Sequence, residues 1–297
     1  MESILIISPS GTINPDYVEG AAKRLRSWGY KVTVAPHALG EHGRFSGTDE
    51  ERLADINAAL QDPSVDAILC ARGGYGLQRI LDKIDLSTLN SRLSTLIGFS
   101  DITALHELFA LHTPLSTIHG LMCKHIASLP EDSEALQLFR RALACEPITY
   151  TLQAHPLNRL GTTQGTLVGG NLSVLYGLQG TPYDLNRVID AHPEGVILFI
   201  EDIGERHYHI DRMMNNLRMS GVLARIKGLV VGQFTDCETD PLMGCTVYET
   251  IAQNIAAYDY PVLFDFPAGH VDDNRPLYLN HTATLTTTED ASQLLQP

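Results

Sequence analysis

Short apolar runs and helical patterns alternate along the first half of the chain. Ser3–Ser8 is an apolar run that predicts a strand, and it ends in the turn cluster Ser8-Pro9-Ser10-Gly11. Asn14-Pro15 predicts an N-cap with proline at the first helical position, followed by Tyr17, Ala21, Ala22, Leu25 and Trp28 at helical spacing, with Gly29 as the stop. Lys31–Ala35 alternates as a second strand, and Thr48 with Glu51 three residues on forms a capping box for a helix carrying Leu53, Ile56 and Leu60. Asp66–Ala71 and Thr95–Phe99 are the third and fourth strands. Strands separated by helices of this length predict βαβ units and a parallel sheet of Rossmann-like or flavodoxin-like type.

The pattern changes between about residues 130 and 165. A helix over Ser133–Ala144 gives way to a polar stretch through Pro147, Pro156, Thr162 and Thr163. Beyond it come strands at Gly165–Val168, Val196–Glu201, Lys227–Val231, Val262–Phe264 and Thr282–Thr288, with helices at Ile210–Met219 and Val247–Ala257. The expected organisation is an α/β N-terminal domain over residues 1–145, a linker over 146–164, and a smaller mixed β/α domain over 165–297.

Composition narrows the function classes. The chain has 297 residues, enough for about two domains and a core that needs no disulfide or metal. Its formal charge of −14 argues against a sequence-independent grip on nucleic acid and against docking on anionic lipid. Five cysteines without C-x-x-C spacing give neither a disulfide framework nor a structural zinc site. The chain opens on a strand-like run rather than a basic n-region, and no apolar stretch reaches the length of a membrane span, so it reads as soluble and intracellular.

Four segments bear chemistry. In Gly98-Phe99-Ser100-Asp101 a serine stands between a buried strand and a helix, where open α/β sheets bind ligands. The turn resembles the G-x-S-x-G nucleophile elbow with Ile102 in place of the last glycine, although a serine there also serves as a plain N-cap. Arg72-Gly73-Gly74-Tyr75-Gly76, again after a strand, reads either as a plain tight turn or as a loop whose backbone N–H groups approach a ligand and supply an oxyanion-hole donor beside Ser100. Glu201-Asp202 ends a five-residue apolar strand, either in solvent or orienting a histidine. His270, one of 12 histidines, leaves a strand on a Pro-Ala-Gly turn, either as surface decoration or at a loop position of the kind that carries catalysis. Two weaker sites compete: His207-Tyr208-His209 with Asp211 has a metal-like look without a third ligand spacing, and His119 at another strand end would line the cleft.

Taken together these segments resemble the LD-carboxypeptidase family, serine peptidases that trim bacterial peptidoglycan peptides and include the microcin-C-resistance carboxypeptidases. The resemblance also covers Arg44-Phe45-Ser46-Gly47-Thr48, Gly169-Gly170-Asn171-Leu172 and Gly180-Thr181-Pro182, in the same order along nearly the whole chain. It implies a triad of Ser100 as nucleophile, His270 as general base and acid, and Glu201 as orienting carboxylate. The oxyanion hole would be the backbone N–H of Asp101 with that of Gly73 or Gly74. It further implies a homodimer, a cleft between two domains, and no metal or organic cofactor. Leu121 stands where the family often has proline, and Tyr183 where tryptophan is frequent.

The expected reaction is release of terminal D-alanine from a cytoplasmic murein tetrapeptide in peptidoglycan recycling. Tyr75, His119 and Tyr183 are expected at the cleft, and Arg72 or Arg275 to balance the substrate carboxylate. The alternatives are hydrolysis of a peptidyl nucleotide on the same fold, and a non-catalytic α/β protein that binds a small ligand.

Overall fold

A computed structural model describes residues 1–237 and 240–297. Five strands of the first half, β1 (Ser3–Ile7), β2 (Lys31–Val34), β3 (Ala67–Cys70), β4 (Thr95–Gly98) and β5 (Thr117–His119), run parallel in the order β2-β1-β3-β4-β5, the flavodoxin-like order. Both faces of this sheet are covered, which is why its strands read as unbroken apolar runs. Ile4, Ile6, Ala67 and Leu69 pack beneath helix Pro15–Ser27, whereas Ile7, Ile68 and Cys70 point to the other side, against helix Asp49–Gln61. Each fully buried Ile or Leu contributes about 1.5–3 kcal/mol.

Local signals explain where these helices begin. Asn14 accepts from the Asp16 N–H ahead of Pro15, and Thr48 and Glu51 close a reciprocal capping box, Glu51 N–H donating to Thr48 Oγ1 at 3.2 Å and Thr48 N–H to Glu51 Oε2 at 2.8 Å.

The second half builds a seven-stranded sheet. It comprises β6 (Ile148–Gln153), β7 (Gly161–Asn171), β8 (Val196–Ile203), β9 (Gly228–Thr235), β10 (Val262–Leu263), β12 (His281–Thr287) and β13 (Ala291–Gln296), in the order β10-β9-β8-β7-β12-β13-β6. The four strands from β10 to β7 are parallel and the remainder antiparallel.

Two features depart from the expected organisation. Residues 148–153, inside the stretch taken as a linker, form β6 and pair with β13 along its whole length, burying Ile148 and Tyr150 on one face. Strand β11 (Leu277–Leu279), late in the chain, crosses back to complete the first sheet antiparallel to β5, with Leu277 opposite His119. One buried cluster accordingly runs through both sheets, from Ile97 and Ile118 to Leu167, Phe199 and Leu294. No helix among the described residues is long and apolar enough to cross a membrane.

Candidate active site

The carboxyl ends of β1, β3 and β4 meet at one rim of the first sheet, and each continues into a turn that packs against the next. After β4, Ser100 opens a single 3-10 turn that runs into helix Thr103–His112. Its φ of +67° lies in the left-handed region, a placement that costs a non-glycine residue about 1–3 kcal/mol unless its surroundings enforce it. The enforcement is visible. Asp101 is buried, and its carboxylate accepts from the Ser10 hydroxyl and from the Leu77 N–H at 3.0 Å. A Cβ on Gly98 would meet the Ile102 side chain at 2.9 Å, so glycine there lets Ile102 pack against the strand end.

The glycine loop after β3 lies directly against this serine. A Cβ on Gly73 would fall 2.7 Å from Ser100 Cβ and 2.9 Å from its Oγ. The Gly73 carbonyl is held by the Gly11 N–H at 3.0 Å, which explains the turn cluster after β1, a contribution the sequence pattern alone did not reveal. The N–H groups of Gly73, Gly74 and Asp101 carry no backbone acceptor and so remain available as donors.

The second sheet brings the histidine and its carboxylate. Glu201, near the end of β8, is fully buried, and its Oε2 lies 2.8 Å from His270 Nδ1. The contact suits the imidazole tautomer that donates from Nδ1 to the carboxylate, which leaves Nε2 as the acceptor facing away from Glu201. Two glycines fit closely around Glu201: a Cβ on Gly269, whose φ is +134°, would stand 3.0 Å from Oε2, and one on Gly232 would stand 3.2 Å from the Glu201 Cβ. Asn274, which the sequence reading missed, accepts from the Gly269 N–H at 2.9 Å and fixes this loop; an Asn four residues beyond a Gly-His pair is the faint signal it left. The His270 ring meets the Phe99 edge with centroids 4.9 Å apart.

Ser100 and His270 line one cleft of about 510 Å³, together with Arg72, Gly73 and Gly74, and with Lys124 and His125, which no motif had singled out. No hydrogen bond joins Ser100 to His270 in this structure; such contacts in a ligand-free site commonly tighten only around a substrate. A second cavity of about 290 Å³ opens on the other flank of Ser100 and is lined by Tyr75, Asp101, Asn171 and Asp202. Asp202 accepts from Asn171 Nδ2, Ser173 N–H and Ile203 N–H, each at 2.9 Å. Burial, and then the neighbouring Glu201 charge, push its carboxyl up to about 7.

The remaining candidates fall as follows. Arg72 lines the cleft and donates to the Thr12 carbonyl at 2.5 Å, and Tyr75 is half exposed at the second cavity. Arg275 is not free for a substrate, because Asp273 and Glu134 each hold it at 3.0 Å. His119 is fully buried between Phe99 and Phe199 and forms none of the cleft's wall; burial holds its imidazole well below the usual range and therefore neutral. Tyr183 packs on the core beneath the first sheet rather than at either cavity. His207 and His209 lie on a helix, not a strand, so two residues apart they do not share a face. His207 Nε2 lies 2.7 Å from Thr250 Oγ1, and His209 Nδ1 lies 3.1 Å from Glu205.

Two family models match the chain. Residues 4–120 match the model of the LD-carboxypeptidase N-terminal domain, and residues 164–285 that of the LD-carboxypeptidase C-terminal domain. A probable murein peptide carboxypeptidase of Bacillus subtilis is 33% identical over 97% of this chain and 90% of its own. The murein tetrapeptide carboxypeptidase of Pseudomonas aeruginosa is 31% identical over 95% and 92% respectively. The crystal structure of muramoyltetrapeptide carboxypeptidase from Oxalobacter formigenes superposes with a TM-score of 0.86 at 28% identity, covering 99% of this chain and 98% of that one.

Proposed function

The chain belongs to the LD-carboxypeptidase family and is a serine-type carboxypeptidase, a hydrolase, and from that premise we propose that it releases the terminal D-alanine of murein tetrapeptides through Ser100, His270 and Glu201. The observation that carries this reading is the 2.8 Å contact between His270 Nδ1 and the buried Glu201, made beside a serine held in left-handed backbone in the same cleft.

The chemistry follows from those positions. His270 Nε2 takes the Ser100 hydroxyl proton as Oγ bonds to the carbonyl carbon of the scissile amide. The negative charge that develops on the carbonyl oxygen is met by the N–H of Asp101 and by that of Gly73 or Gly74. Glu201 stabilises the imidazolium without taking its proton. The tetrahedral intermediate collapses when His270 gives the proton to the departing D-alanine nitrogen and the C–N bond breaks. A water molecule, deprotonated by the same imidazole, then cleaves the Ser100 ester and restores the hydroxyl.

Two named relatives that act on murein peptides support the substrate class. The reading also expects a homodimer working in the cytoplasm, which light scattering and cell fractionation check. Mass spectrometry of products from a disaccharide-free tetrapeptide, its terminal L-alanine isomer and a peptidyl nucleotide tests the specificity. The reading expects D-alanine from the first substrate alone; cleavage of the nucleotide conjugate in preference to the tetrapeptide would contradict it.

A further inference from the structure

The two cavities flanking Ser100 carry opposite charge. The larger is lined by Arg72 and Lys124 and by no Asp or Glu, on a chain with 35 acidic residues against 21 basic ones. The smaller is lined by Asp101 and Asp202 and by no Lys or Arg. His270 belongs to the larger cavity and not to the smaller. In the reaction above, His270 protonates the departing nitrogen, so the leaving residue occupies the larger cavity. Its carboxylate carbon is two bonds from that nitrogen, which brings the negative charge to the cationic wall.

Lys124 forms neither a hydrogen bond nor an ion pair with any described residue, whereas Arg275 is tied to carboxylates and Arg72, though it too keeps its charge, is tied to backbone. Lys124 is exposed. Its backbone is nevertheless well placed: the Cys123 N–H donates to the Ala71 carbonyl at 3.2 Å, which ties the start of helix Cys123–Ser128 to the strand end that carries Arg72 and Gly73. The neighbouring His125 is neutral, held down at about 4 by burial, so it adds no competing charge.

We propose that Lys124 binds the terminal carboxylate of the substrate and thereby makes the enzyme select a residue with a free chain end. The assignment rests on the reaction proposed above and deepens it by naming what recognises the leaving group. An ammonium on a flexible stem suits a small carboxylate that departs with every turnover.

The test separates binding from chemistry. Ser100→Ala protein, with and without Lys124→Ala, is titrated calorimetrically with the tetrapeptide and with the same peptide ending in D-alaninamide. Losing one charge-assisted contact is expected to weaken the acid peptide about 10–100-fold and leave the amide unchanged. Lys124→Arg is expected to restore most of the affinity. Equal affinity for the acid peptide in both proteins overturns the assignment, as does equal weakening of both peptides or failure of the parent to bind either. Binding through Lys124 in a wild-type protein that releases no D-alanine would contradict the reaction while leaving the carboxylate site in place.

Discussion

At the scale of single residues, the candidate site depends on how closely backbone can approach side chain. Gly73 is the sharpest instance: its φ is not in the left-handed region, so alanine fits the backbone, yet the added methyl would sit 2.7 Å from Ser100 Cβ. Gly73→Ala is therefore expected to retain the wild-type melting temperature to within a few degrees while kcat falls about 100-fold, the size of effect seen when an oxyanion donor is displaced. A kcat within twofold of wild type would contradict the placement of that loop. Glu201→Gln keeps the shape at position 201 but lets the amide stabilise the wrong imidazole tautomer, and kcat is expected to fall about 10⁴-fold with the fold intact. Stopped assays of D-alanine release measure both. Ser100 and Glu201 stand where a buried apolar strand gives way to polar residues and His270 follows a Pro-Ala-Gly turn, so the sequence offered all three as candidates, and the family resemblance gave them their proposed roles. Lys124 was not legible, since a lone lysine in a helical stretch forms no pattern. Arg275 misled because one of its two partners, Glu134, lies 141 residues earlier, although the other, Asp273, stands only two residues before it.

The elements divide by how they bury their faces. Strands β1, β3, β4 and β8 are covered on both sides, so their sequences are continuous apolar runs and were read nearly to the residue. Strand β6 is covered on one face only, so Ile148 and Tyr150 alternate with Thr149 and Thr151, and two flanking prolines made the stretch resemble a linker. Strand β11 has three residues, too short for any period to show. Helix Thr103–His112 hides a further surprise in Glu107, which is fully enclosed and whose carboxyl burial pushes up to about 8. The folded-state value lies above the unfolded one of about 4.5, so the folded protein holds the extra proton and stability is lost as pH rises between the two. Glu107→Gln removes that loss. Its melting temperature relative to wild type is expected to be higher at about pH 9 than at about pH 5, by several degrees in scanning calorimetry. A difference that does not change with pH would count against a buried, protonated Glu107.

Across the whole molecule, the two sheets share one apolar cluster, β11 joins the first sheet from the far end of the chain, and Arg275 binds Glu134 from the first half. The nucleophile and its partners therefore come from segments that pack as one body. Calorimetry is expected to show one cooperative transition with equal calorimetric and van't Hoff enthalpies, whereas two separable transitions would contradict the shared core. The overall charge of −14 acquires a local counterpart, since none of the residues lining the cleft beside Ser100 is acidic. What binds these scales together is the claim that Ser100, activated by His270, performs the cleavage. Release of D-alanine from disaccharide-free tetrapeptide by wild type and by Ser100→Ala tests it most directly. The account predicts rapid release by wild type and a loss of about 10⁴–10⁶-fold in the variant; equal release by both, or none from wild type, would contradict it.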